Sequence, residues 1–99
     1  MRLISMRRLR QDASRYPDVK KQIENWYDVV KKANWQNLEQ VRKDYREAES
    51  VGKFTVFNLK GNHYRLIVDI DYQFQTIRYK YFLTHAEYDK GRWKNDPYF

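Results

Sequence analysis

Ninety-nine residues can enclose one small core but not two, so residues 1–99 are expected to form a single domain. The absence of cysteine excludes disulfides and thiolate chemistry and suits a reducing cytoplasm; two histidines, His63 and His85, are too few for an ordinary structural metal site, and no cofactor is expected. Twenty Lys and Arg against thirteen Asp and Glu leave a net charge of +7 spread over both halves of the chain, which favours a polyanionic partner, while 17% aromatic residues argue against a disordered basic segment.

The chain opens with "RLIS", a short apolar stretch suited to an edge strand. The start has no apolar run of signal-peptide length, and no segment approaches the roughly 20 apolar residues of a membrane span, so no membrane association is expected. Ser5 is a plausible N-cap for a helix running to about Tyr16, with Leu9, Ala13 and Tyr16 on one face. Pro17 separates it from a second helix over about 18–33, in which Val19, Ile23, Trp26, Val30 and Ala33 form an apolar stripe. A third, short helix is capped by Asn34 or Asn37 and ends before Ser50-Val51-Gly52. From Lys53 the period changes to two, predicting strands over about 53–59, 63–72 and 76–84. Helices followed by strands make an α+β chain.

The central hairpin carries the first functional signal. A two-residue turn at Gly61-Asn62 sets Lys60 opposite His63, Asn58 opposite Arg65 and Val56 opposite Ile67. One face then receives Phe57, Leu59, Tyr64, Leu66 and Val68, ready to pack on the helices, and the other receives Asn58, Lys60, Arg65 and Asp69 among Phe54, Val56 and Ile67. Unbroken alternation in the last strand puts Ile77, Tyr79, Tyr81 and Leu83 on its apolar side and Arg78, Lys80 and Phe82 on the other, with Arg78 near Asp69 and Lys80 near Ile67. Four cations thus share a sheet face on which only Asp69 opposes them. Such cations are ordinarily solvated; the apolar residues mixed among them, and an arginine near the middle of the central strand, point instead to an anion held there.

Beyond this strand, Thr84 and Glu87 have capping-box spacing, so His85 and Tyr88 lie three apart on one helical turn. An imidazole and a phenol beside a cation cluster have the parts for phosphodiester transfer. The structural alternative is a capping histidine and a core tyrosine.

The paired motifs "VFNLKGNHYRLIV" and "THAEYDK", with "MRLIS", "KKANW" and "DYREAESVGKFTVFN", resemble the HigB type of toxin in the RelE/ParE-like toxin–antitoxin superfamily, over almost the whole chain. The resemblance implies a RelE-like α+β domain, with N-terminal helices on one face of a mostly antiparallel sheet of about four strands. It also implies metal-independent endoribonuclease activity toward mRNA on the ribosome, by attack of a 2′-hydroxyl on the adjacent phosphate, which inhibits translation. Arg65 and Tyr88 match the family's phosphate-binding arginine and C-terminal aromatic residue; Lys60, Arg78 and Lys80 match its cationic sheet residues, with Asn58 beside them as an RNA contact. His85 is the candidate proton carrier, although relatives use His, Lys or Tyr. The implied protein partner is a helix-turn-helix antitoxin of the HigA kind. The alternatives are a basic module that binds nucleic acid without cutting it and a gyrase-directed toxin of the same superfamily.

Overall fold

The computed structural model describes residues 1–99. Strand β1 (Arg2–Ile4) leads into α1 (Met6–Ala13); a 3₁₀ turn (Pro17–Val19) precedes α2 (Lys20–Lys32), and α3 (Leu38–Asp44) completes the helical half. Strands β2 (Glu49–Val51), β3 (Phe54–Leu59), β4 (Tyr64–Asp71) and β5 (Thr76–Thr84) follow, then α4 (His85–Lys90) and a second 3₁₀ turn (Arg92–Asn95). The five strands form one sheet in the order β1-β5-β4-β3-β2, antiparallel except for the parallel β1–β5 pair. The α+β architecture agrees with the sequence reading, with one strand more than expected.

The extra strand is β2. Three residues, Glu49-Ser50-Val51, carry too little alternation to announce a strand. It forms because Gly52, at φ +59°, turns the chain so that Val51 pairs with Phe54 and Glu49 with Val56. One helix boundary also moves, and one open cap is decided. Ser5 occupies the N-cap of α1 but in a left-handed conformation without a side-chain cap bond, and the helix stops at Ala13, leaving Tyr16 to pack on Tyr64 at 4.9 Å. Asn37 rather than Asn34 caps α3, its Oδ1 accepting from the Gln40 amide at 3.0 Å.

The β3–β4 register is the expected one, with Asn58 opposite Arg65 and Val56 opposite Ile67. The β4–β5 register is not. Val68 pairs with Tyr79 and Ile67 with Tyr81, so Lys80 is the extra residue of a β-bulge rather than the partner of Ile67. One inserted residue reverses the side-chain phase beyond it. Phe82, expected among the cations, joins Tyr16 and Tyr64 on the helix side, while Tyr81 and Leu83 move to the opposite face.

Two apolar layers result. On the helix side, Leu9, Ile23, Trp26 and Val30 pack against Phe57, Leu66, Val68 and Tyr79, with the Trp26 and Phe57 rings edge to face at 5.5 Å. Phe54, Val56 and Ile67 form a smaller layer on the other side under Trp93, with Tyr88 and Phe99 at its margin. The face read as open is therefore covered along part of its length by α4 and the segment after it.

Trp26 is fully buried and its indole N–H has no hydrogen-bond partner. Trp26→Ala should cost about 3–5 kcal/mol by urea denaturation, whereas Trp26→Phe, which removes the unpaired donor and keeps the ring contact, should lose less. Burial also pushes the Tyr45 phenol from its ordinary value of 10.0 up to about 12. Between these values the folded chain retains a proton that the unfolded chain releases, so the stability contribution is present below pH 10 and fades as pH rises toward 12. Tyr45→Phe should make this alkaline loss shallower in denaturation midpoints measured across that range.

Candidate active site

Arg65 lies on β4, the central strand of five, and points away from the helices. The residue is only 7% exposed, yet it makes no ion pair. Its Nη1 donates to the carbonyls of Asn62 (3.1 Å) and Tyr64 (3.2 Å), and its guanidinium carbon lies 5.3 Å from the centre of the Tyr88 ring. Carbonyls and an aromatic ring orient a guanidinium without neutralising it. A desolvated charge without a counter-ion is costly, and such a site favours an anion that can complete it.

Tyr88 reaches Arg65 because α4 begins immediately after β5. Thr84 and Glu87 form the expected capping box: the Thr84 hydroxyl accepts from the Glu87 amide, and the Glu87 carboxylate accepts from the Thr84 amide. Gly91, at φ +71°, ends the helix and returns the chain toward the sheet. Trp93 then stacks on Tyr88, with centroids 5.0 Å apart and planes 18° from parallel, and its indole N–H donates to the Tyr88 carbonyl at 3.0 Å. The Tyr88 hydroxyl approaches Glu49 at 3.5 Å. Burial first, and the Glu49 charge second, hold the phenol above its ordinary range, partly offset by Arg65. Tyr88 therefore remains a proton donor at neutral pH.

The backbone brings His85 to the same corner. Its amide donates to the His63 carbonyl at 2.9 Å, one residue from the Asn62 carbonyl that receives Arg65. The His85 Nδ1 lies 3.0 Å from an Asp89 carboxylate oxygen one helical turn on, in a half-exposed pair. If Nδ1 carries the proton shared with Asp89, Nε2 is an acceptor, the arrangement that makes an imidazole a base. Asn58, opposite Arg65, donates to Glu47 at 3.2 Å. Lys60 is exposed in the hairpin turn at φ +53°, where its amide donates to Gln22 on α2.

Arg78 and Lys80 lie elsewhere. Arg78 faces Asp69, four residues along β4 from Arg65, or about 13 Å at the rise of a strand. Lys80, expected to lack a carboxylate, is paired with Asp96 at 3.1 Å, and both side chains are largely buried. Asp96 also accepts from the Tyr81 hydroxyl (2.7 Å) and the Tyr98 amide (2.8 Å), which together with Lys80 hold it below the usual carboxylate range. Arg78, Lys80 and Asp96 line a polar cleft of about 520 Å³ with Ser5 and Arg8. The single cationic face expected from alternation is thus two groups, Arg65 with Tyr88 at the hairpin end and Arg78 with Lys80 at the far end, while the His85 side chain lines a neighbouring groove with Tyr16, His63 and Tyr64.

Sequence reasoning missed Glu49 and Trp93. Glu49 belongs to the strand that alternation did not reveal. Trp93 stood next to the THAEYD motif, but nothing in its spacing indicated the ring on which it rests.

A family model described as HigB_toxin, the RelE-like toxic component of a toxin–antitoxin system, matches residues 19–91, a span that contains Arg65, His85 and Tyr88. The chain is also similar to the mRNA interferase HigB of Escherichia coli O6:H1 strain CFT073, at 27% identity over 93 residues, covering 91% of this chain and 90% of that protein. A five-stranded α+β fold and the family match over most of the chain lead to one assignment: the chain belongs to the HigB toxin family, the RelE-like toxic components of toxin–antitoxin systems.

Proposed function

We propose that this toxin is an endoribonuclease that cuts mRNA, with its reaction centre at Arg65, Tyr88 and His85. The observation that carries the reading is the buried Arg65 guanidinium, oriented by two carbonyls and an aromatic ring and lacking any carboxylate. A scissile phosphate supplies the missing anion. The name of the Escherichia coli relative, an mRNA interferase, favours the same substrate.

In this mechanism the RNA 2′-oxygen attacks the adjacent phosphorus, forming a 2′,3′-cyclic phosphate as the bond to the 5′-oxygen breaks. His85 Nε2 takes the proton from the 2′-hydroxyl, with Asp89 steadying the imidazolium. Arg65 stabilises the charge that grows on the non-bridging oxygens, in a site where water competes weakly for it. Tyr88 enters protonated and donates at the departing 5′-oxygen, Glu49 orienting its hydroxyl. Asn58 and Lys60 contact flanking RNA, and Arg78 and Lys80 meet the strand farther along the sheet. The cations provide the charge neutralisation, so the scheme assigns no step to a metal.

The cutting takes place on the translating ribosome in the cytoplasm, where a basic toxin meets an exposed message, and a helix-turn-helix antitoxin from the same operon neutralises it.

Arg65→Ala should lower cleavage by about 10²- to 10³-fold, the usual loss for one donor to a developing oxyanion, and should abolish growth arrest after induction. Because no ion partner is stranded, the variant should still fold, as circular dichroism would report. Full toxicity at normal expression would remove Arg65 from the centre. Replacing Arg65 should also reduce the salt dependence of RNA binding by about 0.7 log units per log of salt, the share of one phosphate on a single strand. An unchanged slope would place the bound phosphate elsewhere.

A further inference from the structure

The segment after α4 does more than fill a groove. Asp96 ties it to the sheet through the Lys80 ammonium and the Tyr81 hydroxyl, and Phe99 packs edge-on against both Phe54 (6.0 Å) and Trp93 (5.4 Å). Gly52 accommodates this: a Cβ at that position would stand 2.7 Å from the Phe99 ring. Held between these two anchors, Trp93 is 3% exposed, and it meets Tyr88 twice, through the stacked rings and through the indole bond to the Tyr88 carbonyl. No other aromatic ring stacks on Tyr88, and α4, only six residues long, has no buried residue of its own to fix its rotation on the sheet. A helix of that length does not hold its position without tertiary contacts.

We infer that Trp93 is a positioning residue, and that the Asp96-anchored segment acts through it to hold the Tyr88 ring against the Arg65 guanidinium. Trp93 touches no reacting atom in the mechanism above, and the inference rests on that reading for its effect on rate. Its effect on geometry stands apart from it. The bulge at Lys80 belongs to the same device, because it turns the ammonium toward Asp96 and brings Tyr81 onto the face where its hydroxyl meets the same carboxylate.

The test is a double-substitution cycle on RNA cleavage with an independent geometric readout. Trp93→Leu is expected to lower kcat by about 10- to 100-fold with KM changed less than about twofold, since binding through Arg65 survives while the donor is lost from its place. The loss should vanish in a Tyr88→Phe background, where there is no hydroxyl left to position. Trp93→Phe, which keeps a stacked ring, should recover most of the rate. Asp96→Asn, of nearly unchanged size, should give the Trp93→Leu pattern at smaller amplitude and serves if the leucine variant does not fold. The nuclear Overhauser contact between the Tyr88 ring and the Arg65 side chain should be present in the unsubstituted chain and weakened in the Trp93→Leu or Asp96→Asn variant. A rate loss that adds fully to that of Tyr88→Phe, or an undiminished contact in the folded variant, overturns the inference. Absence of Arg65-dependent cleavage by the unsubstituted protein sinks the nuclease reading instead, and the contact measurement then decides the positioning claim on its own.

Discussion

A buried positive charge without a buried negative one is the constraint around which this small fold is arranged. Arg65 occupies the central strand, where neighbouring strands exclude water from both sides, and its only polar partners are two backbone carbonyls. A merely structural residue at this position could be apolar, as Ile67 is two residues away on the same face. In the proposed mechanism the unmet charge turns a packing surface into a binding site, because the desolvation has been borne in folding rather than at the moment of binding.

The elements around Arg65 serve that charge in distinct ways. The helix-side layer, centred on Trp26 and Phe57, makes the sheet rigid enough to hold a cation in place. The smaller layer under Trp93 keeps α4 close, so that Tyr88 meets the Arg65 guanidinium and the His85 amide meets the hairpin turn to which Arg65 is tied. The two layers share β4 and β5, and the bulge at Lys80 is where they become compatible. Upstream of it Tyr79 faces the helices; downstream, one residue out of phase, Phe82 does.

Much of this was legible in the sequence. Period-two alternation located β3, β4 and β5, and the Gly61 turn fixed the β3–β4 register, hence the opposition of Asn58 and Arg65. The spacing of Thr84 and Glu87 gave the capping box, and with it the placement of His85 and Tyr88. The parts that escaped have physical reasons. A bulge is a defect in alternation and leaves no local signature when its inserted residue is a lysine between two tyrosines, so Lys80 and Phe82 were assigned to the wrong surroundings. A three-residue strand falls below the length at which a period can be recognised, which hid β2 and Glu49. The Asp96 anchor joins residues about fifteen apart through side chains alone, so the carboxylate that pairs with Lys80 leaves no trace in the local spacing. The likeness to HigB toxins supplied a chemistry that spacing could not.

The central claim, that Arg65 waits for an RNA phosphate, is tested most directly by following its guanidinium nitrogen resonances while adding a short RNA whose 2′-hydroxyl is methylated, so that it binds without being cut. The account predicts that the Arg65 signals shift and sharpen with saturation, in step with those of Tyr88, while those of Arg78 move less. Saturable binding that leaves the Arg65 signals where they were would contradict it.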